Sequence, residues 1–402
     1  MRSINSHKTI HRYNARTWKQ TKTLGKGGEG TADLHTSRWN KETKLVIKVV
    51  KMPDTTGSDN RPIELIRLAC LPSTCNRIVE LLGSELHTPS PGLCSLFLEY
   101  CPMGDVRHWR ITEYENKNRK PVPETMIWRF FIQMSQALAF LHQGVGMVDT
   151  DGNAYVGWTS LIHRDIKPCN ILVKANKGSI YPSFKLADFG ISKFHDPSKT
   201  ETEAGTYLWQ PPELPRVSTR EADVWSVGAC VHYLATGKAP VEEQQEFIHR
   251  KWASWGHKYP TGVDAKDRHY WDKQCPRRPT HINVSKEAQL EAGVEKGKLR
   301  QQYSDELDKW MMKALNMKAT QRPWAVDLLK GVERDGRRLI KKMSKASGLV
   351  DLEMKCEPVP MDDPDSDSND GGFVAMMLDE DELNFDEPDM DPSTNYRGRK
   401  PR

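Results

Sequence analysis

A short polar segment, LIHRDIKPCNILV at residues 161–173, concentrates groups that can accept protons, carry positive charge and bind cations. Apolar residues flank these groups on both sides and predict buried strands. A polar loop held between buried strands is rigid, which suits a reaction that depends on positioned side chains. The groups in question are His163, Arg164, Asp165, Lys167 and Asn170.

A glycine-rich segment near the start of the chain, LGKGGEG at residues 24–30, fits the pattern G-x-G-x-x-G. Glycines let a backbone approach phosphate groups closely, and both dinucleotide-binding folds and kinases use this property. The dinucleotide-binding version requires a helix directly after the glycines. Here TADLH and then KETKLVIKVV predict two strands, with Lys48 in the second. The order of elements therefore favours a glycine-rich lid made of strands.

The elements around these groups change character along the chain. Strands predominate first, within 18–51 and over 95–100, with one helix over 61–69 between them. Helices predominate later, at 125–142, 222–237, 304–330 and 333–346. Strands followed by helices predict an α+β protein in two lobes rather than a repeating βαβ chain.

Further motifs follow in a fixed order: LVIK ending at Lys48, Asp188-Phe189-Gly190, GTYLWQPPE at 205–213 and DVWSVG at 223–228. With these motifs, residues 18 to about 335 resemble a eukaryotic serine/threonine protein kinase. The resemblance implies a bilobal protein kinase fold. Its N-lobe, about 18–98, would be a mostly antiparallel β-sheet with one helix, and its larger C-lobe, about 102–335, would be α-helical.

The resemblance also implies a use for the polar loop. Asp165 would accept the proton of a substrate hydroxyl, and Lys167 would contact the transferring phosphate of ATP. Asn170 and Asp188 would hold two Mg²⁺ ions. Lys167 in the polar loop, together with the later Gly205-Thr206 pair, is the pattern of the serine/threonine members of the family. The acceptor is therefore expected to be serine or threonine in protein substrates.

The resemblance assigns the ATP contacts to the lid, to the strand lysine and to the hinge after the gatekeeper Leu98. Relative to the family, the small and large side chains over the adenine are exchanged between Ala32 and Val46. The expected ATP-binding residues are Leu24, Gly25, Lys26, Gly27, Gly28, Glu29, Gly30, Ala32, Val46, Lys48, Glu99, Cys101 and Leu172.

A second group of residues is expected to organise or regulate the site. Glu64 would pair with Lys48, and Arg322 with Glu213. Arg164 would bind a phosphate on the activation segment, which follows Asp188-Phe189-Gly190 and ends at Glu213. Two alternative functions remain open, a pseudokinase scaffold and a small-molecule phosphotransferase. The structural or regulatory residues are Glu64, Arg164, Thr200, Thr202, Thr206, Glu213, Asp223 and Arg322.

Two inserts depart from the family. The insert at 144–160 contains Asp149-x-Asp151-x-Asn153, but Ala154 and Ser160 stand where a calcium loop needs Gly and Glu, so calcium is not favoured. The insert at 241–300 mixes tryptophans with basic residues. This mixture predicts a packing surface or a partner-docking surface more strongly than nucleic-acid binding.

The chain ends differ in charge from the body. Residues 357–391 carry fourteen Asp and Glu and no Lys or Arg, within a net charge of +5 for the chain. We expect a basic N-terminal extension at 1–17, the catalytic domain at 18–335, a basic helical extension at 336–356 and a disordered acidic tail at 357–402.

The cysteines and the hydropathy pattern bear on location. None of the eight cysteines lies in a C-x-x-C pair, which argues against zinc. No apolar run of about 18 residues and no apolar N-terminal signal occur, so membrane insertion is not expected. We therefore expect an intracellular protein, cytoplasmic or nuclear, that binds no membrane.

Overall fold

A five-stranded antiparallel sheet with the strand order β1-β2-β3-β6-β5 forms the N-terminal lobe. The computed structural model describes residues 16–27, 30–53, 61–71, 73–117, 121–147, 157–199, 202–264 and 266–358. The elements of this lobe are β1 (Trp18–Gly27), β2 (Gly30–Ser37), β3 (Lys44–Lys51), α1 (Ile63–Ala69), β4 (Ser73–Cys75), β5 (Leu81–Leu86) and β6 (Leu93–Glu99).

The helix α1 is the single α-helix of this lobe within the described residues. Pro62 precedes its first turn, where a missing backbone N–H costs nothing. Leu65, Ile66 and Leu68 are buried on one side of the helix. Glu64 is also buried, which is exceptional for a carboxylate unless it is paired.

The C-terminal lobe is predominantly helical. Helices α3 and α4 form its centre, and both end at a glycine with positive φ, Gly144 and Gly237. The helices are α2 (Val106–Arg110), α3 (Glu124–Gln143), α4 (Arg220–Thr236), α5 (Gln244–Ser254), α6 (Arg268–Gln274), α7 (Lys286–Glu291), α8 (Asp305–Ala314) and α9 (Ala325–Ser344). The predicted bilobal α+β fold is confirmed.

Short strand pairs hold the polar loop at the front of this lobe. The pairs are β7 (Leu161–Ile162) with β10 (Lys193–Phe194), and β8 (Ile171–Lys174) with β9 (Ser183–Leu186). Leu161, Ile162, Ile171 and Val173 are fully buried. The loop is thus clamped at both ends, as its apolar flanks predicted.

The predicted boundary between residues 335 and 336 is wrong, because α9 continues across it to Ser344. Leu339 and Ile340 are buried, and a Cβ on Gly336 would lie 2.7 Å from the ring of Trp128. The basic residues that suggested a separate extension are the outer face of one amphipathic helix.

Residues after α9 also belong to the folded domain. Cys356–Pro358 form β11, which pairs antiparallel with β4, so residues 357 and 358, which were assigned to the tail, belong to the folded domain. The rest of the predicted acidic tail, 359–402, and the N-terminal extension up to residue 15 lie outside the described residues.

The insert at 241–300 folds around a small aromatic core of its own. Phe247, Trp271 and Cys275 are buried in it, and Trp255 packs at its edge. This supports the packing reading for its tryptophans. In the insert at 144–160, residues 148–156, which include the calcium-like pattern, lie outside the described residues.

Among the helices described above, none combines the length and the apolar character needed to cross a membrane.

Candidate active site

A buried carboxylate on α4 fixes the backbone of the polar loop. The two oxygens of Asp223 accept the backbone N–H groups of His163 and Arg164, at 2.8 and 3.0 Å. His142 lies 3.0 Å from the same carboxylate. Arg164 has a φ of 72°, a conformation that is costly without such support. Asp223, one of the expected structural residues, therefore anchors the backbone of the polar loop.

His163 connects this loop to the segment that carries Asp188. Its ring packs on Phe189 with centroids 4.9 Å apart, and its Nε2 lies 3.1 Å from the carbonyl oxygen of Ala187. Burial lowers the pKa of His163, so the ring is neutral at pH 7 and Nε2–H donates to the carbonyl.

Asp165 lies at the centre of a hydrogen-bonded cluster. Lys167 Nζ is 2.5 Å from one of its oxygens and 2.8 Å from the hydroxyl of Thr206. The backbone N–H and the hydroxyl of Thr206 donate to the other oxygen, at 2.9 and 2.8 Å. Asn170 donates to Asp165 through its amide nitrogen at 3.0 Å. These contacts fix the carboxylate in one orientation.

Lys48 bridges two carboxylates from different lobes. Its ammonium is 2.5 Å from Glu64 on α1 and 2.8 Å from Asp188. Burial alone would lower the pKa of Lys48, but the two carboxylates raise it well above its usual value. Burial alone would raise the pKa of Asp188, but Lys48 lowers it. Lys48 and Asp188 are therefore both charged at pH 7.

The residues expected to bind Mg²⁺ fit such an ion. The amide nitrogen of Asn170 is engaged by Asp165, which leaves its oxygen for a cation. Asp188 uses Oδ1 toward Lys48 and offers Oδ2. Mg²⁺ in phosphate-binding sites commonly takes one or two protein oxygens and completes its shell with water and phosphates. Among the described residues, no group of three or more Asp, Glu, His or Cys side chains is placed so that it could hold a metal ion by itself.

The expected adenine contacts share one face of the sheet. Ala32 stands directly opposite Lys48, and Val46 stands opposite Leu34 and Leu98. Directly opposed side chains project to the same face, so Ala32 and Val46 are diagonal neighbours. Leu172, on β8, is partly buried against the core. Within the lid, Gly28 and Glu29 lie outside the described residues.

The side chain of Glu99, at the hinge, is bound within the protein. It forms ion pairs with the buried Lys185 and, at 2.7 Å, with Lys174, and it accepts the N–H of Glu80 at 2.9 Å. Burial alone would raise the pKa of Glu99, but the two lysines lower it. Any contact of Glu99 with adenine would therefore come from its backbone. The one sequence feature that points to this network is Lys185, a charged residue within the buried strand β9.

The activation segment meets the loop at two places. Arg164 donates to the hydroxyl of Thr202 at 2.7 Å, whereas Thr200 lies outside the described residues. Gly205 has a φ of +94°, and a Cβ there would lie 2.2 Å from the carbonyl oxygen of Arg164. Only glycine fits this approach. At the end of the segment, Arg322 binds Glu213 through two hydrogen bonds of 2.8 and 2.6 Å.

Arg277, in the insert at 241–300, was missed by the sequence reading. Its guanidinium donates to the carbonyls of Tyr207 and, at 2.8 Å, of Gln210, directly after Thr206. Burial lowers the pKa of Arg277 to about 9. The insert thus supports the segment that follows the Gly-Thr pair. No local sequence pattern points to this contact, because its partners are backbone atoms far away in the chain.

Comparisons with known proteins agree with this arrangement. The family described as "Protein kinase domain" matches residues 18–331. The G2-specific protein kinase fin1 of Schizosaccharomyces pombe is 30% identical over 217 residues, covering 50% of this chain and 29% of that protein. Mitogen-activated protein kinase kinase kinase 3 of Arabidopsis thaliana is 32% identical over 235 residues, covering 56% and 33%. The chain thus spans a third or less of these two relatives.

A solved structure supports the fold. A chain of the CAK complex from Chaetomium thermophilum bound to ATP-γ-S superposes with a TM-score of 0.50 at 20% identity, covering 78% of this chain and 90% of that one. The family match extends over most of the sequence and contains every motif described above. This chain belongs to the protein kinase domain family.

Proposed function

We propose that this protein is a serine/threonine protein kinase that transfers the γ-phosphoryl group of Mg-ATP to hydroxyl groups of protein substrates. The arrangement of Asp165 carries the proposal, because its carboxylate is fixed by Lys167, Asn170 and Thr206. Phosphoryl transfer needs mainly positioning and neutralisation of charge, and this site supplies both.

Each side chain has one task in this proposal. Asp165 accepts the proton of the substrate hydroxyl, and Lys167 neutralises charge on the transferring group. Lys48, held by Glu64, binds the phosphates nearer the adenosine. Asn170 and Asp188 would hold Mg²⁺, which supplies charge neutralisation on the phosphate oxygens when bound.

The preference for serine and threonine is supported by the Lys167–Thr206 contact of 2.8 Å, which joins the loop lysine to the Gly-Thr pair. The names of the relatives describe protein kinases, and the solved neighbour binds ATP-γ-S. We further propose an intracellular location, cytoplasmic or nuclear, and a docking role for the exposed side of the insert at 241–300. All eight cysteines are reduced, which fits that location.

A phosphate-transfer assay tests the proposal and its two rivals. The purified full chain is incubated with Mg²⁺, γ-labelled ATP, peptide mixtures bearing Ser, Thr or Tyr acceptors, and small metabolites. Label on Ser or Thr peptides supports the proposal, provided that Asp188→Asn abolishes it. Label on metabolites alone would indicate a small-molecule phosphotransferase. The absence of any transfer, including to the protein itself, would indicate a scaffold.

A further inference from the structure

A segment that follows the matched kinase domain runs from the C-terminal lobe to the N-terminal lobe. We define the C-terminal strap as residues 345–358, which run from the end of α9 to β4 in the N-terminal lobe. Two fully buried arginines bind its backbone. Arg129 donates to the carbonyls of residues 348 and 350, both at 2.7 Å. Arg77 donates to the carbonyls of residues 351 and 353, at 3.0 and 2.8 Å.

Asn76 sets the strap in register against β4. Its side-chain amide donates to the carbonyl of Glu353 at 3.0 Å, and its side-chain oxygen accepts the N–H of Lys355 at 2.9 Å. Its backbone N–H also donates to the carbonyl of Lys355, at 3.0 Å. Asn76 and Lys355 therefore lie opposite each other at a hydrogen-bonded position next to the β4–β11 ladder, where the Asn76 side-chain oxygen takes the place of its backbone carbonyl.

The next pair along this ladder is Cys75 and Cys356, which stand directly opposite each other. Because hydrogen-bonded and non-hydrogen-bonded pairs alternate in an antiparallel ladder, this pair is of the non-hydrogen-bonded type. In such pairs the Cα atoms are about 4.5 Å apart. This separation falls within the range of roughly 4.4–6.8 Å that disulfides span.

We propose that Cys75 and Cys356 form a reversible disulfide site that fastens the C-terminal strap to β4. Both cysteines are thiols in the structure, and Cys356, the partly exposed member, opens the pair to solvent. Contact with the Cys356 thiol lowers the pKa of Cys75, and the charge on Arg77 acts in the same direction. The thiolate is the form that reacts with oxidants.

The proposed oxidant is hydrogen peroxide, and the chemistry proceeds in two steps. The Cys75 thiolate attacks the peroxide, an S–O bond forms, the O–O bond breaks, and hydroxide leaves as water after taking a proton. The sulfur of Cys356 then attacks the Cys75 sulfur, and the S–O bond breaks. The Cys356 proton leaves with that hydroxide as a second water. Two thiols lose two electrons in total, and one molecule of hydrogen peroxide gains them.

The test is peptide mapping without reduction on the full chain, before and after treatment with hydrogen peroxide. We expect a linked peptide pair containing Cys75 and Cys356, a loss of two of the eight free thiols when they are counted in denaturant, and full recovery with dithiothreitol. Cys356→Ser should abolish the linked pair. Cys70→Ser is the matched control, since Cys70 is close in sequence but exposed, and this variant should form the link as wild type does.

Hydrogen exchange provides a second measurement that does not depend on catalysis. The oxidised protein should exchange amides of 345–358 at least several-fold more slowly than the reduced protein, and Cys356→Ser should show no such change. A disulfide between any other two cysteines, or peroxide converting Cys75 and Cys356 to sulfinic acids without a link, would overturn the proposal.

Discussion

Asp165 illustrates how much a short motif can specify at the scale of single residues. Asp165, Lys167 and Asn170 contact one another as the loop motif led us to expect, because local spacing on a clamped loop determines their separation. The true environment of Glu99 could not be predicted in this way. Its partners Lys174 and Lys185 lie about 75 and 86 positions away, and only the folded chain brings them to the hinge.

The first prediction concerns the general base. Asp165→Asn keeps the shape and the contacts with Thr206 but cannot accept the substrate proton. We expect turnover to fall about 10²- to 10⁴-fold with little change in ATP affinity. Steady-state rates and nucleotide titration measure the two effects separately. Asp327→Asn, an exposed site on α9, is the control. Near-normal turnover of Asp165→Asn would exclude this residue as the base.

The second prediction concerns the exchanged side chains above the adenine. Ala32 and Val46 are diagonal neighbours on one sheet face, so they should be energetically coupled. Val46→Ala should weaken ATP binding by roughly 1 kcal/mol, and Ala32→Val should crowd the ring. The double exchange should recover much of the loss, with a coupling of about 0.5–3 kcal/mol. Additivity of the measured ATP affinities would contradict a shared cavity.

At the scale of elements, the presence of a helix was easier to predict than the residue at which it ends. The basic residues after 335 suggested a new segment, yet α9 continues because Leu339 and Ile340 maintain its buried stripe. The contact between α4 and the segment around residue 280 had no sequence signal. His232 on α4 lies 2.9 Å from the carbonyl of Lys238 through Nδ1, and its Nε2 accepts the backbone N–H of Thr280 at 3.3 Å.

The third prediction follows from this histidine. Burial lowers the pKa of His232 to about 4, and the neutral ring alone satisfies both contacts. Below the ordinary value of 6.5 the unfolded chain binds a proton that the folded chain does not, so stability is lost as pH falls. Between pH 7 and pH 5 this group should lower the free energy of unfolding by about 2 kcal/mol.

Urea unfolding at pH 7 and pH 5 measures this effect. His232→Gln removes the titrating group, so the loss between the two pH values should be smaller in the variant than in wild type by about the same 2 kcal/mol. The difference between the two proteins isolates His232 from the other buried histidines. Equal losses in both proteins would show that His232 does not couple folding to protonation.

At the scale of the whole molecule, the folded domain is longer than the matched kinase domain. The family match ends at 331, whereas described contacts continue to residue 358. The strap was not predicted because its own sequence is short and mixed in polarity. The two arginines that bind its backbone also lie far away in the sequence. Composition indicated a charged end of the chain but could not indicate where the folded part stops.

The fourth prediction compares two truncations. Ending the chain after 344 removes the strap and with it the backbone carbonyls that Arg77 and Arg129 bind. Hydrogen bonds to a charged group contribute about 1.5–3 kcal/mol each, so losing them should lower the free energy of unfolding by several kcal/mol. Ending the chain after 358 keeps every described contact and is the matched control. Calorimetric unfolding showing equal stability for both truncations would contradict a structural role for the strap.

The way the strap is held has a consequence for how related sequences diverge. Arg77 and Arg129 bind main-chain oxygens, which every amino acid provides, so positions such as 350 and 353 are free to vary without loss of the clamp. The two arginines have no such freedom. A homologous chain with the same strap should therefore be recognised by a pair of buried arginines at the places of Arg77 and Arg129, even where its own residues after α9 bear no similarity to these.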